Sequence, residues 1–64
     1  MKVRDLIRLI ESDGWRLIHT RGSHRQYKHP AKKGRVTVPG HARDDVHPGT
    51  LKSVLNQAGL TGKL

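Results

Sequence analysis

The fold is decided by residues 15–40, which read WRLIHTRGSHRQYKHPAKKGRVTVPG. Three short runs in this stretch are rich in β-branched, aromatic or alternating apolar residues and are separated by turn-forming residues, a pattern typical of strands. The predicted strands are 15–20, 24–29 and 35–38, and turns at 21–23 and 31–34 join them. Pro39 and Gly40 stop the third strand, because proline has no N–H to donate to a sheet ladder. The stretch therefore predicts a three-stranded antiparallel sheet.

Strand alternation assigns side chains to the two faces of this sheet. In a regular strand Trp15, Leu17 and His19 share one face, and His24 points to the face opposite that of Tyr27. The two aromatic rings could stack on nucleic-acid bases. With so few large side chains in the sequence, we expect Trp15 and Tyr27 instead to lie in the core or at its edge.

An amphipathic helix is predicted on each side of the sheet. The first carries apolar residues at i, i+3, i+4 and i+7 and ends at Asp13-Gly14; these residues are Val3, Leu6, Ile7 and Ile10. The second begins near 48–50, ends before Gly59 and presents Leu51, Val54, Leu55 and Ala58. Residues 60–64 are expected to form a short tail. The sequence thus predicts one α+β domain over residues 1–64, with both helices covering one face of the sheet.

The charge of the 64-residue chain is concentrated in its middle. Of the net charge of +8, all arises between residues 14 and 43, where no acid occurs and eight residues are basic: Arg16, Arg21, Arg25, Lys28, Lys32, Lys33, Arg35 and Arg43. Such a segment favours a polyanionic partner, most commonly nucleic acid. An apolar stretch suited to a membrane or a signal peptide is missing from the sequence, and the absence of cysteine fits a reducing cytoplasm.

His24 is the residue best placed for chemistry. It follows Gly22-Ser23 at a turn and has Arg21 and Arg25 nearby in sequence. Glycine allows a phosphate to approach the backbone, serine and arginine can donate hydrogen bonds, and imidazole can transfer a proton near neutral pH. Because RNA supplies its own 2′-hydroxyl nucleophile, this set could cleave it without a metal or cofactor. The spacing alone also allows His24 to be an ordinary solvated residue.

A metal site is a weaker interpretation of the histidines. His19, His24 and His29 are spaced five apart, so consecutive members point to opposite faces wherever the chain is extended. The spacings of zinc-binding motifs do not occur. We therefore expect no metal.

Several short segments together carry a resemblance to a known family. Gly22-Ser23-His24-Arg25, Tyr27-Lys28-His29-Pro30, Val36-Thr37-Val38-Pro39 with His41, Pro48-Gly49-Thr50-Leu51 and residues 55–60 occur in the order found in the HicA toxins. The sequence thus resembles the messenger-RNA interferases of HicA/HicB toxin–antitoxin systems. The resemblance implies a fold like the double-stranded-RNA-binding domain, a catalytic role for His24 in a motif with Gly22 and Ser23, and a HicB-like antitoxin as partner. His41 matches a recurrent position of the family after Val-Pro, but the resemblance alone assigns it no catalytic role.

Our leading hypothesis is a metal-independent endoribonuclease that cleaves messenger RNA. His24 would be the general acid/base, with Arg21, Gly22, Ser23, Arg25, Lys28 and Arg35 contacting the RNA. The main alternative is a non-catalytic double-stranded-RNA-binding module, because the same fold and charge suit recognition of duplex shape. A third possibility is a chain that acts only by binding another protein.

Overall fold

The computed structural model describes residues 1–62 and has two helices and three strands. In chain order these are α1 (Val3–Ser12), β1 (Arg16–Arg21), β2 (His24–Lys28), β3 (Arg35–Val38) and α2 (Pro48–Ala58). The strands form one antiparallel sheet in the order β1-β2-β3. This confirms the predicted α+β architecture. Lys63 and Leu64, the last residues of the predicted domain and tail, lie outside the described residues.

Both helices bury their apolar stripes against one face of the sheet. The core consists of Val3, Leu6, Ile10, Trp15, Tyr27, Val36, Val38, Val54, Leu55, Ala58 and Leu60. Trp15 and Tyr27 are each 1% exposed, which confirms that they belong to the core and leaves neither ring free to stack on a base. The indole Nε1 of Trp15 also donates to the carbonyl of Ala58 at 3.3 Å, joining the start of the sheet to the end of α2.

The chain after α2 does not begin as a tail. Gly59 adopts a left-handed conformation with φ of 69°, and its N–H donates to the carbonyl of Asn56. The N–H of Leu60 donates to the carbonyl of Leu55 at 2.8 Å. This Schellman arrangement folds the residue after the glycine back onto the apolar side of the helix. Leu60 is accordingly buried in the core, and the prediction that a tail starts there is wrong.

A β-bulge interrupts the regular alternation of β1. Leu17 pairs with Tyr27, but His19 pairs with Gln26, so two steps along β1 correspond to one step along β2. Directly paired residues share a face, and the bulge places Leu17 on the helix-covered side and His19 on the opposite side. The prediction that Leu17 and His19 share a face is therefore wrong, because the extra residue reverses the alternation.

The polar connection between β3 and α2 accepts hydrogen bonds from the first N–H groups of α1. The N–H groups of Val3 and Arg4 donate to the carbonyls of Asp44 and Ala42, both at 2.9 Å. The first N–H groups of a helix have no partner within it, so these bonds satisfy donors that would otherwise need water. The contacts fix the middle of this connection relative to α1.

Candidate active site

The sheet face opposite the helices is polar and cationic. The buried residues Tyr27, Val36 and Val38 mark the helix-covered face, and alternate positions point the other way. Three cross-strand rows form this open face: Arg16, Lys28 and Arg35 at one end, His19, Gln26 and Thr37 in the middle, and Arg21 with His24 at the other end. The cations of these rows are all solvent-exposed.

His24 occupies the hairpin end of this face. The turn is formed by Gly22 and Ser23, and Gly22 has a φ of +58°, in the left-handed region that favours glycine. His24 is the exposed first residue of β2, and Arg21 is its direct partner on β1. Directly opposed residues have Cβ atoms roughly 5 Å apart. Arg21 is therefore the cation nearest to His24 in the sheet, and the structure brings the two together as expected.

An open pocket of about 470 Å³ lies between His24 and α2. Its walls are formed by His24, Thr37, Pro39, His47, Gly49, Thr50, Ser53, Val54 and Gln57. Pockets of a few hundred Å³ are the usual size of small-molecule and cofactor sites. The imidazole of His24 thus borders a space in which part of a nucleic-acid chain could lie.

Side-chain hydrogen bonds from α2 build the wall of this pocket. The Oε1 atom of Gln57 accepts from the backbone N–H of Thr37 at 2.9 Å, and its Nε2 donates to the Oγ of Ser53 at 3.1 Å. Gln57 thereby satisfies a backbone donor on the outer edge of β3, which would otherwise be open to another strand. The bonds hold α2 against the sheet edge beside His24.

His47 is a pocket residue that the sequence analysis missed. It lies immediately before α2, and its Nδ1 accepts a hydrogen bond from the N–H of Gly49 at 3.0 Å. The signal available in the sequence was its position just ahead of the predicted helix start at Pro48, where a side chain that accepts a hydrogen bond can cap a helix. Histidine is not among the residues that usually cap a helix, and the sequence pattern therefore does not predict this role.

Arg25 lies on the other side of the sheet from His24. It pairs with Val38 on the helix-covered face, and its Nη1 donates to the carbonyl of Gly40 at 2.8 Å. Neighbouring residues of a strand point in opposite directions, so closeness in sequence does not make Arg25 a neighbour of His24 within the sheet. The guanidinium instead fixes the turn that follows β3.

Lys28 and Arg35 lie at the far end of the open face. Lys28 is four residues from His24 along β2, which corresponds to roughly 13 Å at a rise of about 3.3 Å per residue. Arg35 pairs directly with Lys28, and its Nη1 donates to the Oε1 of Gln26 at 3.2 Å. Like charges directly opposite one another destabilise a sheet. The row formed with Arg16 is thus a second, separate place where an anion would relieve repulsion.

Both ring nitrogens of His29 are hydrogen-bonded to backbone groups, so this histidine holds the structure together. Its Nε2 lies 2.7 Å from the carbonyl of Asp13, and its Nδ1 accepts from the N–H groups of Ala31 and Lys32 at 2.9 and 3.1 Å. Because Nδ1 accepts these bonds, the ring donates from Nε2 to the Asp13 carbonyl. Lys32 in turn binds the Oδ2 of Asp13 at 2.6 Å, and this hydrogen bond lowers the pKa of the Asp13 carboxyl. His29 and Lys32 therefore join α1 to the end of β2.

The match to a known family covers these elements together. Residues 3–60 match the family described as "HicA toxin of bacterial toxin-antitoxin". The chain belongs to the HicA toxin family. The matched range runs from the first residue of α1 to the buried Leu60 and includes the whole open face and the His24 pocket. A comparison with curated proteins found no match.

Within residues 1–62, His, Asp and Glu side chains do not gather in any group of three that could hold a metal ion. Neither helix of that range is long and apolar enough to cross a membrane.

Proposed function

We propose that this HicA toxin is a metal-independent endoribonuclease that cleaves messenger RNA, with His24 as its general acid/base. The observation that carries the proposal is the placement of His24. The ring lies on the exposed hairpin end of a cationic face, directly opposite Arg21, and borders the open pocket beside α2. This puts a group able to move a proton next to a positive charge and a space for substrate.

The reaction needs only groups that the RNA and these residues supply. His24 takes the proton of a ribose 2′-hydroxyl, and the 2′-oxygen attacks the adjacent phosphorus. The bond from phosphorus to the 5′-oxygen of the next nucleotide breaks, and that oxygen takes the proton from the His24 imidazolium, which returns to its starting form. The products are a 2′,3′-cyclic phosphate and a free 5′-hydroxyl. Arg21 would stabilise the charge that builds on the phosphate oxygens, as cations do in phosphoryl transfer.

The other predicted RNA contacts divide into two groups. Gly22 and Ser23 form the turn beside His24, where an open backbone suits the approach of the reacting phosphate. Lys28 and Arg35 are too far away to hold that phosphate, and we propose that they bind the chain further along. We propose that Arg25 acts indirectly, by fixing the backbone at Gly40 through its 2.8 Å hydrogen bond.

Replacing His24 tests the proposal, with His41→Ala as the matched control because His41 is also exposed but does not border the pocket. Induced expression of the wild-type chain and of the His41 variant should arrest growth, whereas His24→Ala should not. In vitro, the purified His24 variant should still bind RNA and should show at least a hundredfold loss of cleavage, in keeping with the usual contribution of general acid–base catalysis. Undiminished cleavage by His24→Ala would contradict the proposed mechanism.

The same assay separates the enzyme from a simple RNA-binding module. A binding module would shift labelled RNA in a salt-dependent way and leave it intact. The enzyme would produce fragments, and excess chelator would not stop it. Loss of all cleavage in chelator would favour a metal-dependent reaction instead.

We further propose that a HicB-like antitoxin neutralises the toxin by covering this face in the cytoplasm. A toxin of this class works in a pair with an antitoxin, and an acidic partner would complement the row formed by Arg16, Lys28 and Arg35. We expect a HicB-like protein to be encoded beside this chain, and its co-expression should restore growth. Failure of that protein to bind the purified toxin would contradict this part of the proposal.

A further inference from the structure

We propose that His47 is a second functional imidazole of the pocket, one that donates a hydrogen bond from Nε2 to a phosphate oxygen of the RNA cleaved at His24. This inference rests on the proposed ribonuclease activity and adds a residue to it. His24 reaches the pocket from the hairpin of the sheet, and His47 reaches it from the residue before α2. The fold thus brings two imidazoles from separate elements to one space.

The hydrogen bond to the helix start determines which ring nitrogen of His47 carries the proton. Nδ1 accepts from the N–H of Gly49 at 3.0 Å, and a nitrogen that accepts a hydrogen bond cannot itself carry a proton. With Nδ1 in use as an acceptor, the ring carries its N–H at Nε2. An imidazole held in this way offers a fixed hydrogen-bond donor at Nε2. This separates its role from that of His24.

A fixed donor is useful because negative charge grows on the non-bridging phosphate oxygens as the 2′-oxygen attacks. Donors already in position stabilise that charge without having to reorganise. Gln57 is bonded to the N–H of Thr37 and to the Oγ of Ser53. The Ser53 hydroxyl accepts that bond and keeps its own O–H as a further donor of the pocket. The bond of His47 to the backbone uses only Nδ1. The N–H at Nε2 is not used by that bond and could reach a phosphate oxygen.

The test must separate hydrogen-bond donation from helix capping. Serine is a good N-cap, so His47→Ser keeps an acceptor for the first turn of α2 and removes the imidazole donor, whereas His47→Ala removes both. His41→Ser is the matched control. We expect His47→Ser and His47→Ala to lower kcat alike, by about tenfold or more. The effect should be smaller than the loss of a donor in an enclosed oxyanion hole, because this pocket is open. KM should change little, and His41→Ser should match the wild type.

Two outcomes would overturn the assignment. If His47→Ser cleaved RNA as fast as the wild type while His24→Ala was inactive, His47 would be a cap only, and the proposed ribonuclease would stand without it. If His47→Ser lost activity only in proportion to lost folded protein, measured by circular dichroism at the assay temperature, its effect would be structural. Cleavage by His24→Ala would instead overturn the proposed function itself.

A measurement without turnover checks the ring directly. An RNA with a 2′-deoxynucleotide at the scissile position has no nucleophile and should bind without being cut. In the free protein, ¹⁵N NMR of the histidine side chains should show His47 protonated at Nε2 alone. Addition of the uncleavable RNA should shift that N–H downfield, and an unchanged signal at saturating RNA would contradict the proposed contact.

Discussion

His24 and Arg25 are adjacent in the chain, yet they serve opposite faces of the sheet. The sequence correctly indicated an exposed histidine at a turn, because Gly22 and Ser23 mark the hairpin. It grouped Arg25 with His24 through adjacency, although the alternation of a strand separates them. The structure gives Arg25 a backbone partner at Gly40 and leaves Arg21 as the cation beside His24. Cross-strand pairing, which depends on register, decides which charges meet.

The place of His47 beside His24 could not be predicted from the sequence. The sequence contains nothing that joins the segment before α2 to the first hairpin, because their contact depends on how α2 packs against the edge of β3. At that edge the contact includes the hydrogen bond between Gln57 and Thr37, two polar residues without any distinctive spacing. A pocket built from such long-range contacts could not be predicted from local patterns.

Asp13 provides a test of the junction that joins α1 to the loop after β2. The Lys32 hydrogen bond lowers the pKa of the Asp13 carboxyl from its ordinary value of 3.8. A carboxyl whose pKa is lower when folded stabilises the protein above its unfolded pKa, and this contribution is lost as the pH falls through the folded pKa. Asp13→Asn should therefore be less stable than the wild type at pH 7, with the difference fading below about pH 4.

Urea denaturation of both proteins across this pH range measures the effect. Asp5→Asn is the control, because Asp5 faces Arg8 at 3.8 Å on the exposed side of α1 and should contribute little. A deficit of the Asp13 variant that stayed the same from neutral to strongly acidic pH would show that the carboxylate charge is not what stabilises the junction.

The order of helices and strands could be predicted from the sequence, but the bulge in β1 and the burial of Leu60 could not. The bulge in β1 could not be predicted because Leu17 and Ile18 are both apolar and fit either register. The burial of Leu60 depends on the left-handed Gly59, which the sequence indicated only as a helix stop. In both places the local pattern gave the element, and tertiary packing set its detailed geometry.

The hairpin between β1 and β2 can be tested through Gly22. An added Cβ there would meet nothing within 4 Å, so the cost of a side chain comes only from the φ of +58°. For L-residues this conformation costs about 1–2 kcal/mol, and Asn tolerates it better than other residues. We expect the free energy of unfolding to fall in the order Gly22, Asn, Ala, Val, with Ala about 1 kcal/mol below the wild type.

Chemical denaturation of the three variants gives this order directly. Ser23→Ala is the control, because Ser23 has no positive φ and should change stability by less than about 0.5 kcal/mol. Equal stability of the Ala and Val variants with the wild type would show that the turn does not need a left-handed residue.

The basic residues that carry the net charge of the protein are of two kinds: some are bonded within the protein, and others are exposed on the open face. Eight basic residues lie between 14 and 43, but Arg25 and Lys32 have partners inside the protein. Four of the others, Arg16, Arg21, Lys28 and Arg35, line the open face of the sheet. The open face therefore carries four of these eight cations, three in a row at one end and Arg21 beside His24 at the other.

The row should contribute to RNA affinity more than to the chemical step. Replacing Lys28 and Arg35 together by Gln in the His24→Ala background should weaken binding of single-stranded RNA. It should also reduce the slope of log affinity against log salt by about 1.4, or roughly 0.7 for each phosphate that the protein no longer neutralises. Arg4→Gln with Lys52→Gln is the matched control, since these exposed cations lie on the helices. Equal salt slopes for the two double variants would contradict a phosphate-binding row.

If His24 activates a ribose 2′-hydroxyl, the cut RNA must carry the chemical ends that attack by the 2′-oxygen leaves. Purified toxin should cut a defined RNA in excess chelator and leave 2′,3′-cyclic phosphate and 5′-hydroxyl ends. A single 2′-deoxynucleotide at the cut site should block cleavage there, and His24→Ala should yield no fragments. Fragments with 3′-hydroxyl and 5′-phosphate ends, or cleavage that persists at the 2′-deoxynucleotide, would contradict this role of His24.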